Sequence, residues 1–202
     1  TTQLAGLDAT QLAGLTPTQM SSLKSTAIAA LSSTQIQALS SRQIGSITPT
    51  ALSGLSTSQV ALLSATQIQG LTTTQVASLS STAITSITPT QLDSMSLAQL
   101  RAISSTNISA LTSTQMQQLS TTRIASLTAT QIAGFTATDM AELSLTNLAA
   151  LTKTEIAALS TSALQGFTET QIAALTTAQI SGLSSTQVSA LSSDQIAALS
   201  AT

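Results

Sequence analysis

Asp139 and Glu142 stand three residues apart, a spacing that puts two carboxylates on one helix face, where they could share a cation. Calcium takes roughly 6–8 oxygen ligands, and no Asp-rich loop lies near to supply the others, so the two read as a solvated surface pair. Lys153 and Glu155 lie among Ser and Thr residues, but no oxyanion-hole motif accompanies them. General acid–base work requires a group tuned by burial, and every charge in this chain falls at a polar phase of the pattern described below. Asn107-Ile108-Ser109 has the form of a glycosylation sequon. Arg101 and Arg123 read as scattered solubilising charges. Met20, Met95, Met116 and Met140 fall at apolar phases and read as core, not as metal ligands. With neither His nor Cys, zinc, haem and disulfide chemistry and the Ser-His-Asp and Cys-His nucleophiles are excluded. The expectation is no catalytic, cofactor-binding or metal residue, no cofactor, no small-molecule substrate and no enzyme.

The 202 residues carry 6% charged side chains and a net charge of −2, against roughly 25% charged residues in a typical domain. Five basic residues do not neutralise a nucleic-acid backbone, so no nucleic-acid partner is expected. Apolar runs such as Val60-Ala61-Leu62-Leu63 are far short of the ~18 residues that span a bilayer, and membrane insertion is not expected. No signal peptide is visible after Thr1.

These side chains are positioned by a repeat. Residues 1–200 divide without a gap into 25 octads. Numbering each phase by residue number modulo eight, phase four is apolar throughout (Leu4, Leu12, Met20, Ile28 and onward to Ile196). So is phase seven (Leu7, Leu15, Leu23 and onward to Leu199), which also holds Phe135 and Phe167. Phase eight is Ser or Thr except at Asp8 and Lys24, phase two is mostly Thr, and phase three is Gln in 16 octads. Phase six is small except at Leu62, Gln118 and Glu142.

Ser32 followed three residues later by Gln35 is a capping box: the hydroxyl accepts from the Gln35 N–H and the glutamine reaches back to the Ser32 N–H. Leu31 and Ile36 are then the pair of a hydrophobic staple. Pro17, Pro49 and Pro89 all fall at phase one, the first helical position, where a missing N–H costs nothing. Each octad therefore starts a helix of about six or seven residues, roughly 10 Å long, and the next cap ends it. Such a helix is below the ~12–15 residues needed for stability in isolation, so its Ile/Leu pair must enter a common core. Small phase six permits close helix approach, and the seven glycines there mark where helices break.

One continuous helix is disfavoured, because an apolar spacing averaging four residues drifts about 80° per octad and interior prolines cost about 3 kcal/mol each. A β-solenoid is the alternative: Thr content favours it, but phases four and seven fall on opposite faces of a strand and turn chemistry is scarce. The predicted fold is all-α: one tight α-solenoid over residues 1–202, with 25 eight-residue repeats and one capped helix each. Two or three helices could form each layer, and no period longer than the octad is evident.

Terminal repeats with polar faces normally close a solenoid. The final octads have none, which suggests an excerpt of a longer array or subunits that stack end to end. The octad Ser32-Ser33-Thr34-Gln35-Ile36-Gln37-Ala38-Leu39 resembles the Thr-Gln-Ile-x-x-Leu arrays of very large bacterial surface or adhesin-like proteins, and the resemblance runs along the whole chain. It implies an extracellular or cell-surface location. Leu15-Thr16-Pro17-Thr18-Gln19-Met20 is similar to the opening helix of TAL-effector repeats, but nothing matches their base-reading loop, and the likeness is a shared capped-helix solution. Uniformity favours a structural role: an extracellular fibre or an adhesin stalk, with other copies of itself as partner through end-to-end or lateral contacts. The alternative is a surface binder that uses the periodic Thr/Gln ladder in the manner of ice-binding proteins.

Overall fold

The computed structural model describes residues 6–200, and among these it contains 24 short helices and no strand. One helix occupies each octad, from Ala9–Ala13 to Ser193–Ser200. All but the last are four to six residues long, somewhat shorter than the predicted six or seven, because the chain turns out of the helix as early as phase five. The fold is an all-α solenoid, not a β-solenoid.

The local cause is the cap. Seventeen helices carry the full reciprocal capping box. At Ser33–Ala38 the Ser32 Oγ accepts from the Gln35 N–H at 3.2 Å, and the Gln35 Oε1 accepts from the Ser32 N–H at 2.8 Å. All three prolines stand at the first helical position. Asp8, one exception to Ser/Thr at phase eight, caps in the same way. Lys24, the other, does not cap, and neither does Ser120.

The helices end near phase six, but not through left-handed residues: among the described residues no backbone φ is positive, at glycine or elsewhere. The glycines instead permit contact. A Cβ on Gly70 would collide with the Ser41 carbonyl, and one on Gly166 with the Ala137 carbonyl. In both cases the exit of one helix rests on the first residue of a helix 29 residues earlier.

The chain forms two compact units, Thr1–Ile103 and Ser104–Thr202; the octad phase passes from Ile103 to Ser104 unbroken. Within the first unit, each helix packs on the third helix along: Pro17–Ser21 on Ser41–Ser46, and Thr73–Ala77 on Leu97–Ala102. The second unit repeats this, with Ala129–Ile132 on Lys153–Ala158 and Ala137–Glu142 on Thr161–Leu164. Phases four and seven form the core. Leu12, Met20, Ile36 and Ile44 are fully buried in the first unit, and Ile108, Ile124, Ile132 and Met140 in the second. Each buried Ile or Leu contributes about 1.5–3 kcal/mol against exposure, which is what holds helices too short to persist alone.

Candidate functional site

The residues with the most elaborate polar geometry are the phase-three glutamines. A capping box on an isolated helix would leave them at the surface, yet Gln67 is 3% exposed and Gln75 1%. The Gln67 Oε1 accepts from the Ser64 N–H at 2.8 Å, and its Nε2 donates to the Ile36 and Leu39 carbonyls, both at 2.7 Å. Gln75 bonds Thr72 and then donates to Ile44 and Ile47 at 2.8 and 2.6 Å. The same reach, 31 and 28 residues back along the chain, is made by Gln91 and Gln99 in the first unit. In the second unit Gln171, Gln179 and Gln195 make it.

The clamp solves two problems at once. A helix leaves four N–H groups unpaired at its start and four carbonyls at its end. One glutamine amide satisfies an N–H at the start of its own helix with its oxygen. Its nitrogen satisfies carbonyls at the exit of a helix one superhelical turn earlier. The carbonyls lie 28 and 31 residues back, in phases seven and four, while whole helices pack on the third helix along, the spacing of a three-helix layer.

Where phase three is not glutamine, the clamp is altered in ways the side chains dictate. Asn147, one methylene shorter, reaches only the nearer carbonyl, donating from Nδ2 to Leu119 at 2.9 Å, 28 residues back. Ala51, Ala83 and Ala163 keep the N-cap bond from Thr48, Ser80 and Ser160 but return nothing. At Ala83 the missing side chain leaves a cavity of about 20 Å³, lined by Leu52, Leu55, Val60 and Ser80 among others. Leu52 and Leu55 are the residues 31 and 28 positions back, whose carbonyls a glutamine at 83 would clamp.

Three of the charges lie inside, for Asp139 and Arg123 contrary to their reading as solvated groups. Asp139 is 4% exposed, Glu155 7% and Arg123 9%. All three sit at phase three, which the superhelix turns inward. Asp139 and Glu142 are therefore not a surface pair: the Asp139 Oδ2 accepts from the Thr136 N–H at 2.7 Å and from its Oγ1 at 2.8 Å. Burial pushes the Asp139 carboxyl above its ordinary range, the two Thr136 bonds pull it back, and the Glu142 charge pushes it up again. The Glu155 Oε2 accepts from the Thr152 N–H at 2.6 Å, while Lys153 is exposed. Arg101 is exposed, as its reading requires. Asn107 is buried, so the sequon does not present its amide to solvent. The four methionines are core residues, none more than 2% exposed. Among the described residues no group of three or more carboxylates could hold a metal ion, and no helix is long and apolar enough to cross a membrane.

The ALTTAQ-repeat family matches at two places, residues 20–49 and 171–201. The chain is a repeat protein. No curated protein matches it. The two matched segments lie in different compact units and both contain the clamp, at Gln35 and Gln43 in one and at Gln171, Gln179 and Gln187 in the other.

Proposed function

We propose that this chain is a structural element: a segment of an extracellular fibre or adhesin stalk at the cell surface, whose partner is a further run of the same octads. The observation that carries this reading is the clamp. It commits most phase-three glutamines, whose amides could recognise a ligand through both a donor and an acceptor, to interior bonds between turns. A surface-binding ladder would need them outside; its threonines, such as Thr18, Thr34 and Thr50, are exposed, but among the described phase-three glutamines only Gln11 and Gln19 are.

The turn-to-turn contacts also define what an uncovered turn accepts. Gln11 and Gln19 are exposed, whereas Gln43 and Gln67 are buried by the turn they clamp. Val188 and Ile196 are 40% and 42% exposed, although phase four is otherwise buried almost everywhere. Exposed phase-three amides in the first unit and bare phase-four residues in the second are groups that a neighbouring turn covers elsewhere. Both fit another run of octads, supplied by the same polypeptide or by a second copy.

Electron microscopy of the 202-residue chain, with sedimentation over a concentration series, tests the reading. Filaments, or elongated particles that grow longer with concentration, are the expected result. A compact, strictly monomeric particle at all concentrations would overturn it.

A further inference from the structure

We propose that the cavity at Ala83 is a binding site for a small primary amide: it is the imprint of a glutamine carboxamide in an octad that has no glutamine, and it takes a free molecule of the same chemistry. The proposal does not depend on the structural role above. In the octads on either side the chain supplies the amide itself. Gln75 accepts from the Thr72 N–H at 2.7 Å and donates to the Ile44 and Ile47 carbonyls at 2.8 and 2.6 Å. Gln91 accepts from the Thr88 N–H at 2.7 Å and donates to the Val60 and Leu63 carbonyls at 2.9 and 2.6 Å.

The frame around Ala83 matches these two. The cap residue Ser80 has φ −73° and ψ 159°, against −74° and 157° at Thr72 and −69° and 155° at Thr88. The Ala83 N–H donates to the Ser80 Oγ at 3.1 Å, as the Gln75 N–H donates to the Thr72 Oγ1 at 3.1 Å. Leu52 and Leu55 lie 31 and 28 residues back. The Leu55 N–H donates to the Leu52 carbonyl at 3.0 Å, as Ile47 does to Ile44 at 3.2 Å and Leu63 to Val60 at 3.1 Å, so the exit turn has the same form. Among the described residues the Ser80 N–H donates to nothing and the Leu55 carbonyl accepts nothing. The cavity of about 20 Å³ touches Leu52, Leu55, Ser80 and Ala83, and buried Val60 gives it an apolar wall. Ser53 and Ser78, also on its lining, are exposed, which leaves a way in from solvent.

One donor and two acceptors select the ligand. A carboxylate has no proton for the carbonyls, an ammonium has no acceptor for the N–H, and a primary amide carries both on one carbon. The cavity exceeds the roughly 10–15 Å³ that admits one water. A single water has one centre, whereas at Gln75 and Gln91 the acceptor and the donor are separate atoms of one rigid group. A bound amide bridges the start of Ser81–Ser86 to the exit of Pro49–Leu52 and tightens that joint, because it is held only while both are folded.

The test titrates the full chain with formamide, the carboxamide of glutamine without its methylenes, and reads backbone amide shifts by nuclear magnetic resonance. Ser80 and Ser56, whose N–H follows the Leu55 carbonyl, should shift and saturate, with half-saturation no tighter than about 1 mM for a ligand of three heavy atoms. At ten times that concentration local opening, read by amide exchange at the same residues, should be about elevenfold rarer. N,N-dimethylformamide, which has no N–H, should give neither effect. Ala83→Gln, which supplies the amide covalently, and Ala83→Leu, which only fills the space, should both abolish the response. A linear shift that never saturates, an equal response to N,N-dimethylformamide, or an unchanged response in either variant would overturn the proposal and leave the cavity to water.

Discussion

Replacing Ala83 by Gln should stabilise the first unit, and its magnitude follows from the neighbouring clamps. At Gln75, one octad earlier, the amide makes three bonds: one from the Thr72 N–H and two to the Ile44 and Ile47 carbonyls. The equivalent groups at position 83 are the Ser80 N–H and the Leu52 and Leu55 carbonyls. A cavity of about 20 Å³ already lies against Leu52, Leu55 and Ser80. Each intramolecular hydrogen bond contributes about 0.5–1.5 kcal/mol net, and the added methylene about 0.8 kcal/mol. Ordering a glutamine side chain costs about 1.5–2 kcal/mol. The balance is about 1–3 kcal/mol in favour of Ala83→Gln, or about 2–4 °C in Tm per kcal/mol for a chain of this size. Thermal and urea unfolding by circular dichroism would measure it, with amide exchange near Leu55 showing whether the gain is local. Ala83→Leu fills the same space without the bonds and should gain less. If Ala83→Gln is neutral or destabilising with its helix content intact, the clamp does not stabilise the fold as argued.

Removing a clamp should do the reverse. Gln75→Leu keeps the bulk but leaves the Ile47 carbonyl and the Thr72 N–H without the partner that Gln75 supplies, each costing about 1–3 kcal/mol, and urea denaturation should show a loss of about 2–5 kcal/mol. Glu155→Gln supplies the donor that a glutamate lacks and should raise Tm at pH 7. Gly166→Val forces a side chain against the Ala137 carbonyl and should destabilise the second unit by about 1–3 kcal/mol; Gly14→Ala, where the nearest atoms are its own helix's carbonyls at 3.3 and 3.7 Å, should be far milder. Deleting one whole octad should leave a folded chain, whereas deleting four residues should shift the phase and unfold the neighbouring octads, both read by circular dichroism and limited proteolysis.

The helices and the core were legible because both depend on residues within one octad. Ser32, Gln35, Leu31 and Ile36 announce a cap and a staple at separations of three to five, and Pro17, Pro49 and Pro89 give an independent check on the phase. The clamp was not legible in the same way, because Gln67 and its acceptors Ile36 and Leu39 are separated by 31 and 28 residues. Asp139 and Arg123 were misplaced for the same reason: phase three faces outward on a lone helix and inward in the superhelix. One signal did point to it. A capping box accepts Glu and Gln alike, yet phase three has 16 Gln and a single Glu. A preference that lopsided requires a use for the amide N–H, and the cap supplies none.

The absence of any period longer than eight residues follows from the same geometry. A layered solenoid whose corners differed in environment would record them in the sequence as a longer period. Here the clamping glutamines look back the same 28 residues, from phase three of one octad to phase seven of another, at Gln67, Gln75 and Gln99 in the first unit and at Gln171 and Gln179 in the second. Within each unit the clamped octads therefore meet alike surroundings, and one eight-residue code suffices. This also accounts for the tolerance of Ala51 and Ala83: each octad lacks a clamp but is flanked by octads that keep theirs, at Gln43 and Gln59 and at Gln75 and Gln91, and the lost bonds stay local. Repeat arrays whose stability is a sum of unit and neighbour terms behave this way. It follows that stability should rise with the number of glutamine clamps, not with helix length, and that converting the alanine octads one at a time should give nearly additive gains wherever the altered turns do not touch.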